Sequence, residues 1–459
     1  MTLTEELRAA LSPGAVLTGP DIPEGARSDA SGVGRSLPLL LLRPSSTAEV
    51  SAALRICARH GQTVVPQGGM TGLAGGACPA ATDVALSLER LDVIAEIDAE
   101  ASCITLGAGC ILQTAQEAAA AAGFQFPVDL GARGSATIGG MIATNAGGVR
   151  VIRHGMMRDN LLGLEVVLAD GTILSHLAKV RKDNTGYALG QLIAGSEGTL
   201  GVITRATLLL HPMPLARETA LCALDRFADV LALLALARSE LPGLSAFEAM
   251  WQGYFALNQQ AENLRLFPAP PPFTVILETE TSGGPGKSAV LEDLLATAMD
   301  RAVITDALIA QSDRDARSFW AVREGHHLDR LLPGLLNLDV SLATGEMGAF
   351  ADAVATRIAA DFPTARVHFF GHVGDGNLHL ALHLPQPDAR AAHAVEAIAY
   401  DTLRAFAGSV SAEHGIGTLK RDWLQHSRSA AEIATMRQLK AALDPRHILN
   451  PGKVLPDAD

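Results

Sequence analysis

His372 and His379 bracket Asp375-Gly376 within the segment His-Val-Gly-Asp-Gly-Asn-Leu-His, residues 372–379. Asp-Gly favours a tight two-residue hairpin turn. A turn there predicts His372 directly opposite His379, with Cβ atoms about 4.5–5.5 Å apart. Two imidazoles sharing one face at that separation can grip a single metal ion. Taken alone, such a pair also fits a plain turn flanked by two incidental histidines.

A second kind of chemistry is written in glycine. Three glycine-rich segments lie in the first half of the chain: Pro66-Gln67-Gly68-Gly69-Met70-Thr71-Gly72, Gly134-Ser135-Ala136-Thr137-Ile138-Gly139-Gly140, and Thr144-Asn145-Ala146-Gly147-Gly148. Without a Cβ in the way, backbone N–H groups can approach a phosphate, and successive N–H groups form an anion-binding nest. A diphosphate cofactor is the expected occupant. Neither the Rossmann nor the Walker glycine spacing falls between a strand and a helix here, which counts against a nicotinamide or ATP site.

The elements that must carry these loops are partly legible. Ser46-Thr47-Ala48-Glu49 is a capping-box pattern opening a helix through Val50, Leu54 and Ile56 towards Gly61, and Thr63-Val64-Val65-Pro66 reads as a short strand entering the first glycine loop. Residues 165–174 read as a hairpin turning at Asp170-Gly171. Beyond about Pro214, helical patterns at 227–237, 288–301 and 350–360 alternate with a strand at 273–280, the signature of a separate α+β domain. The proline-rich 267–272 predicts a stiff connection into that strand. The last stretch returns to helix and ends in Leu449-Asn450-Pro451-Gly452-Lys453, a tail expected to fold back. The expected division is 1–214, 215–410 and 411–459.

At 459 residues, with 48% hydrophobic and only 4% aromatic residues, the interior must be packed mainly by aliphatic side chains. The formal charge of −13 excludes a general nucleic-acid binder, whose affinity rests on neutralising phosphates. The cysteines Cys57, Cys78, Cys103, Cys110 and Cys222 form no CxxC pattern, which excludes an iron–sulfur cluster or covalent haem of the usual spacing. Glu5, Glu6 and Arg8 occupy the place of a signal-peptide core, and no apolar run approaches the ~18 residues of a membrane span. A cytoplasmic protein without a transmembrane segment is expected.

The ordered glycine loops, together with Ala194-Gly195-Ser196-Glu197-Gly198-Thr199-Leu200-Gly201-Val202-Ile203, resemble the FAD-binding domain of the vanillyl-alcohol oxidase and p-cresol methylhydroxylase superfamily. The resemblance runs from about Pro38 to Pro214. It implies a two-part FAD-binding domain, an α+β substrate (cap) domain and a C-terminal helical segment returning to the first. It further implies that Gly68, Gly69, Thr71 and Gly72 hold the pyrophosphate, with Pro66 and Met70 beside them. Ser135, Thr137, Gly139, Gly140, Asn145 and Gly147 complete the site, and Glu197, Gly198, Val202, Ile203 and Asn450 are its further cofactor residues. Some relatives attach FAD through a histidine in the first loop; Met70 stands in that neighbourhood, so non-covalent FAD is expected. Where relatives often have Gly-Gly-Asn, this chain has Gly140-Met141.

Glu413-His414-Gly415-Ile416-Gly417, taken with the histidine segment, resembles the D-2-hydroxyacid dehydrogenase branch, of which D-lactate and D-2-hydroxyglutarate dehydrogenases are members. That resemblance makes His372, His379 and Glu413 ligands of a divalent metal, Zn²⁺ first, with Mn²⁺ or Fe²⁺ as alternatives suited to the same donors. His414 becomes the general base and Arg323 the contact to the substrate carboxylate. For Arg323 the alternative is a solvated helix salt bridge. Relatives specialised for 2-hydroxyglutarate carry a lysine near Asn337 and an asparagine near Ala381. Without those partners a D-lactate-like or apolar monocarboxylate is the expected substrate. An external acceptor is implied: an electron-transfer flavoprotein, a cytochrome or a quinone. A homodimer is compatible with the sequence.

Other readings stay open at this point. One is D-2-hydroxyglutarate itself; another is the flavoprotein subunit of a glycolate-dehydrogenase-type complex. An oxidase for aromatic or sugar alcohols has little aromatic material to draw on, with 13 Phe, 3 Trp and 3 Tyr. A flavin-free metal hydrolase would leave the glycine loops unexplained.

Overall fold

Ser46 opens the helix Thr47–His60 by accepting the Glu49 N–H on its Oγ, and Gly61 closes it at φ +64°. Only half of the expected capping box forms. The Glu49 carboxylate turns instead to the amides of Ser12 (2.8 Å) and Ser45 (2.7 Å), tying the helix to the chain before it. The computed structural model of the protein describes residues 1–281, 289–385 and 389–456. They fall into two compact units: Met1–Gly148 with Gly155–Met213 and Glu413–Asp459, and Val149–His154 with Pro214–Ala412.

In the first unit that helix crosses from the strand Leu40–Leu42 to Val64–Gln67, and both pair in parallel with Val84–Ser87 between them. Val16–Leu17 adds an antiparallel edge. A second, antiparallel sheet runs Ile94–Asp98, Cys103–Gly107, Val202–Leu209, Leu161–Val167, Ile173–His176. The hairpin expected around Asp170-Gly171 is its last pair, with Val167 opposite Ile173. Helix residues Val50, Leu54 and Cys57 share one core with Leu42, Val64, Leu86, Val166 and Ile203. Leu54 is fully buried, so truncating it to alanine would cost roughly 2–5 kcal/mol.

The C-terminal tail docks onto the first sheet. Val64 donates to Ile448 O, and Asn450 donates back to Val64 O, each at 2.8 Å. Helix in this tail is confined to Ala430–Leu443, with a 3₁₀ segment at Arg421–His426. The buried Lys440 ammonium, paired with Asp444, donates to Thr199 O and Leu449 O at 2.8 Å. Burial pulls its pKa down from the ordinary lysine value, against the pull of Asp444.

The second unit is built on an antiparallel sheet in the order Asp306–Ile309, Ala216–Leu224, Phe273–Thr281, Leu244–Trp251, Arg366–Gly371, Asn377–His383, Leu336–Ser341. The helices Gln252–Ala261 and Asp313–Glu324 bury Tyr254, Phe255, Phe319 and Val322 against Leu221, Met250 and Ile276. Trp251, pointing the opposite way from Met250, stacks on Phe227 at 5.5 Å, which places the helix Phe227–Glu240 on the other face. The helix expected at 288–301 spans Ala289–Asp300; Ser288 lies outside the described residues. The expected first domain, 1–214, is interrupted, because Val149–His154 belong to the second unit. The turn Val151–His154 packs on the strand Leu244–Trp251 and brings Arg150 to Glu278 (3.1 Å) and His154 to Glu280 (3.1 Å).

Glu280 also meets Arg153 at 3.2 Å and Arg217 at 3.1 Å. Burial raises its pKa, but His154 and Arg217 outweigh that and hold it at about 2. A depressed carboxylate pKa contributes stability above the unfolded value and loses it as pH falls through the folded one. Glu280→Gln is therefore expected to lower the denaturant midpoint near neutral pH and to flatten the loss of stability between about pH 4.5 and pH 2. Parallel pH profiles for the variant and the wild type would contradict this.

Candidate flavin cavity and histidine cluster

Val64–Gln67 leads directly into the first glycine loop. A Cβ added at Gly69 would lie 1.9 Å from Ser135 O, and one at Gly68 would lie 2.5 Å from Thr137 Oγ1. These two glycines are therefore required by the close approach of the second loop; the left-handed residue of the first loop is Met70, at φ 55°. The second loop continues into the helix Ile138–Thr144, where a Cβ on Gly139 would meet Ala108 Cβ at 2.6 Å. That helix ends at Asn145, φ 51°, whose Oδ1 accepts the Arg158 N–H at 2.9 Å.

These loops enclose a cavity of about 420 Å³, within the usual range for a small-molecule site of roughly 300–1,000 Å³. Pro66, Gly68, Gly69, Met70, Thr71 and Gly72 line one part; Thr137, Gly139, Gly140 and Gly147 another; Glu197, Gly198, Val202 and Ile203 a third. Glu413 and His414 also line it. Ser135, Asn145 and Asn450 are not among the lining residues. Ser135 packs its carbonyl on Gly69, and Asn450, 2% exposed, donates Nδ2 to the carbonyls of Gly76 (2.9 Å) and Glu197 (2.7 Å). The cavity suits FAD on its own evidence. Glycines of all three loops form part of its wall, and the buried Thr137 Oγ1 has no hydrogen-bond partner among the described residues. Glu413 Oε1 accepts the Gly148 N–H at 2.8 Å, which fixes the start of the 413–417 loop against the end of the third glycine segment.

His372 and His379 belong to the second unit. They are not directly opposed as the Asp-Gly turn suggested: Phe370 is the residue opposite His379. The strand stops at Gly371, where a Cβ would lie 2.3 Å from Asn377 O, and the amides of Asp375, Gly376 and Asn377 all converge on His372 O. The wider turn still brings the two rings to 5.3 Å between centroids. Each imidazole has a buried carboxylate at Nδ1, Glu248 at 2.7 Å for His372 and Asp339 at 3.8 Å for His379.

Arg323 is 6% exposed and directs Nε (2.7 Å) and Nη2 (2.6 Å) to Glu248 Oε2, with its guanidinium 4.8 Å over the Phe370 ring. The solvated helix salt bridge is thus overturned; its neighbour Glu324 pairs with His326 at 2.7 Å, and His327 with Glu262 at 3.3 Å. Burial pushes the Glu248 carboxyl up, but His372 and Arg323 more than offset this and hold it below the ordinary carboxylate range. Asp339 accepts from Asn377 Nδ2 at 2.7 Å and from the Ala412 N–H at 3.0 Å. Sequence reasoning missed both carboxylates. The available signal was a lone acid inside an apolar strand, Phe247-Glu248-Ala249 and Leu338-Asp339-Val340.

A cavity lined by glycine loops and by Glu413 and His414 can hold a flavin, and the family and relative matches make the chain an FAD-dependent oxidoreductase. Residues 38–176 match the FAD binding domain family and residues 213–454 the FAD linked oxidases, C-terminal domain family. The chain is 39% identical over 447 residues to the mitochondrial D-2-hydroxyglutarate dehydrogenase of Bos taurus, covering 97% of this chain and 82% of that one. It is 38% identical over 434 residues to the D-2-hydroxyglutarate dehydrogenase of Xanthomonas citri pv. viticola, covering 92% and 90%. A putative mitochondrial D-lactate dehydrogenase of Schizosaccharomyces pombe is 36% identical over 426 residues, covering 90% and 81%. In fold the chain is similar to p-cresol methylhydroxylase with substrate bound, with TM-score 0.74, 16% identity, and 99% of this chain and 96% of that one covered. The chain belongs to the FAD-linked oxidases of the D-2-hydroxyacid dehydrogenase family, with a p-cresol methylhydroxylase-like fold.

Proposed function

We propose that the protein oxidises a D-2-hydroxy acid to the 2-oxo acid, with non-covalent FAD and a divalent metal. The observation that carries this reading is the placement of His414 in the wall of the glycine-lined cavity, in a chain whose relatives are named for D-2-hydroxy acids. His414 accepts the proton of the C2 hydroxyl, as an imidazole can near neutral pH. Arg323, held by Glu248, binds the substrate carboxylate. FAD, when bound in the cavity, would supply the two-electron acceptor for the hydride of C2, and a divalent ion would lower the pKa of the hydroxyl.

His372, His379 and Glu413 are the proposed metal ligands, on the strength of the sequence resemblance. The donor set suits such an ion: the Glu248 carboxylate, 2.7 Å from His372 Nδ1, leaves that ring's Nε2 for coordination and raises its basicity. Zn²⁺ is the first candidate, with Mn²⁺ or Fe²⁺ next. Chelation is expected to abolish turnover while FAD stays bound; full activity in a preparation shown to be metal-free would remove the metal from the mechanism. FAD should be released on denaturation, since Met70 supplies no nucleophile of the kind that a histidine would. Flavin remaining on the precipitated chain would contradict this.

A monocarboxylate is the proposed substrate class. Asn337 pairs directly with Ala381 two residues along the strands from His379, and His368 faces Ala381 on the other side. Burial lowers the His368 pKa, with Arg366 and His383 acting in the same direction, and the buried Ala381 offers a distal substituent only a methyl group. An unpaired carboxylate there would be costly. Anaerobic bleaching of the flavin by D- but not L-2-hydroxy acids tests the reaction, and kcat/KM for D-lactate and longer apolar acids against D-2-hydroxyglutarate tests the class. Preference for the dicarboxylate would point to Arg366, His383, His327 or Arg317 as its partner. Reoxidation is assigned to an external carrier, an electron-transfer flavoprotein, a cytochrome or a quinone. Five free, buried thiols suit a reducing compartment such as the cytoplasm.

A further inference from the structure

We propose that Glu197 is a positioning residue that sets the place of His414, a role resting on the function proposed above. Glu197 has a left-handed backbone, φ 50°, between Gly195 at φ 83° and Gly198 at φ 72°. If backbone shape alone mattered, glycine or asparagine would serve there at less strain. The side chain shows what the strain secures. Its Oε1 accepts the Ile416 N–H at 2.7 Å and its Oε2 the Gly417 N–H at 2.8 Å, across more than 200 positions of sequence. Two consecutive amides of the loop that carries Glu413 and His414 are thereby held by one carboxylate.

The strut is anchored at its own base. The Glu197 N–H donates to Ala143 O at 2.8 Å, and its carbonyl accepts from Asn450 Nδ2. The loop it holds includes Gly415 at φ 80° and Gly417 at φ 50°. A Cβ on Gly415 would lie 2.9 Å from Glu197 Oε1, so the fit is close. Gly198, Val202 and Ile203, immediately after the strut, line the same cavity as His414. The carboxylate therefore links the wall bearing residues 198–203 to the loop bearing the base. Burial raises the Glu197 pKa, while the two amides work in the opposite direction.

The test compares full-length holoenzyme carrying Glu197→Gln or Glu197→Gly with the wild type. Glutamine presents an NH₂ to one of the two N–H donors, and glycine keeps the left-handed backbone without the carboxylate. Both variants are expected to retain stoichiometric FAD. Flavin reduction at saturating D-2-hydroxy acid should slow by about 10–10²-fold, the scale of an ångström-sized misplacement. Half-saturation should move far less, and the pH profile of reduction should shift. Amide hydrogen exchange in residues 413–418 should be faster in both, a readout independent of turnover. Wild-type rates and exchange in Glu197→Gln, or a Glu197→Gly enzyme as fast as wild type, would overturn the strut. Loss of FAD from Glu197→Gln would overturn it too, by making the carboxylate a cofactor support. A wild type that reduces no 2-hydroxy acid would sink the proposed function, while the exchange comparison would still decide the strut.

Discussion

His414→Ala is expected to keep FAD and to lose flavin reduction by roughly 10²–10⁴-fold, the usual contribution of a general base. The side chain lines the cavity wall, but its loop is held elsewhere, by Glu413 on the Gly148 N–H and by Glu197 on the amides of Ile416 and Gly417. Removing the imidazole therefore leaves the loop's anchors intact. FAD stoichiometry should be unchanged, and the defect should lie in the rate constant for reduction under anaerobic stopped flow. Near-normal reduction would transfer the base to another residue.

Arg323→Met should have two large consequences that can be measured apart. Loss of a charge-assisted carboxylate contact, about 1.5–3 kcal/mol, raises the substrate concentration for half-saturation by roughly 10–10²-fold. Independently, the change leaves Glu248, 1% exposed, with only His372 as a partner among the contacts described here. Breaking one side of a buried charged pair costs about 3–5 kcal/mol, so thermal unfolding of the variant should fall well below the wild type. Arg323→Met with Glu248→Gln should recover part of the stability without recovering substrate affinity, because the stranded charge is gone while the carboxylate contact is still missing. Unchanged half-saturation in a folded Arg323→Met enzyme would confine Arg323 to holding Glu248 and His372 in place.

Much of the cofactor site could be read along the chain because its parts are local. Glycine loops, the segment around Glu197 and the Glu413-His414 pair are short runs whose composition follows from what a backbone must do within a few residues. The helix after Ser46 and the hairpin at Asp170-Gly171 were legible for the same reason, since capping and turn chemistry act over three or four positions. The turn after Gly371 shows where local rules stop: Asp-Gly favours a two-residue turn, but the Asn377 contacts to Asp339 and Val340 impose a longer one.

The supporting acids belong to tertiary structure alone. Glu248 meets His372 and Arg323 at separations of 124 and 75 residues, and Glu197 meets Ile416 at 219. The apolar neighbours of Glu248 mark it as an acid inside a strand but name no partner for it; only the sheet order, which sets Leu244–Trp251 beside Arg366–Gly371, makes it the shared anchor of an imidazole and a guanidinium. Likewise the glycines of the first loop look like phosphate contacts in the sequence, whereas the fold presses two of them against Ser135 and Thr137. A chain segment declares the conformations it permits, but a buried charge or a missing Cβ acquires its role from whatever the fold brings within a few ångströms, and that is decided by packing across the whole unit.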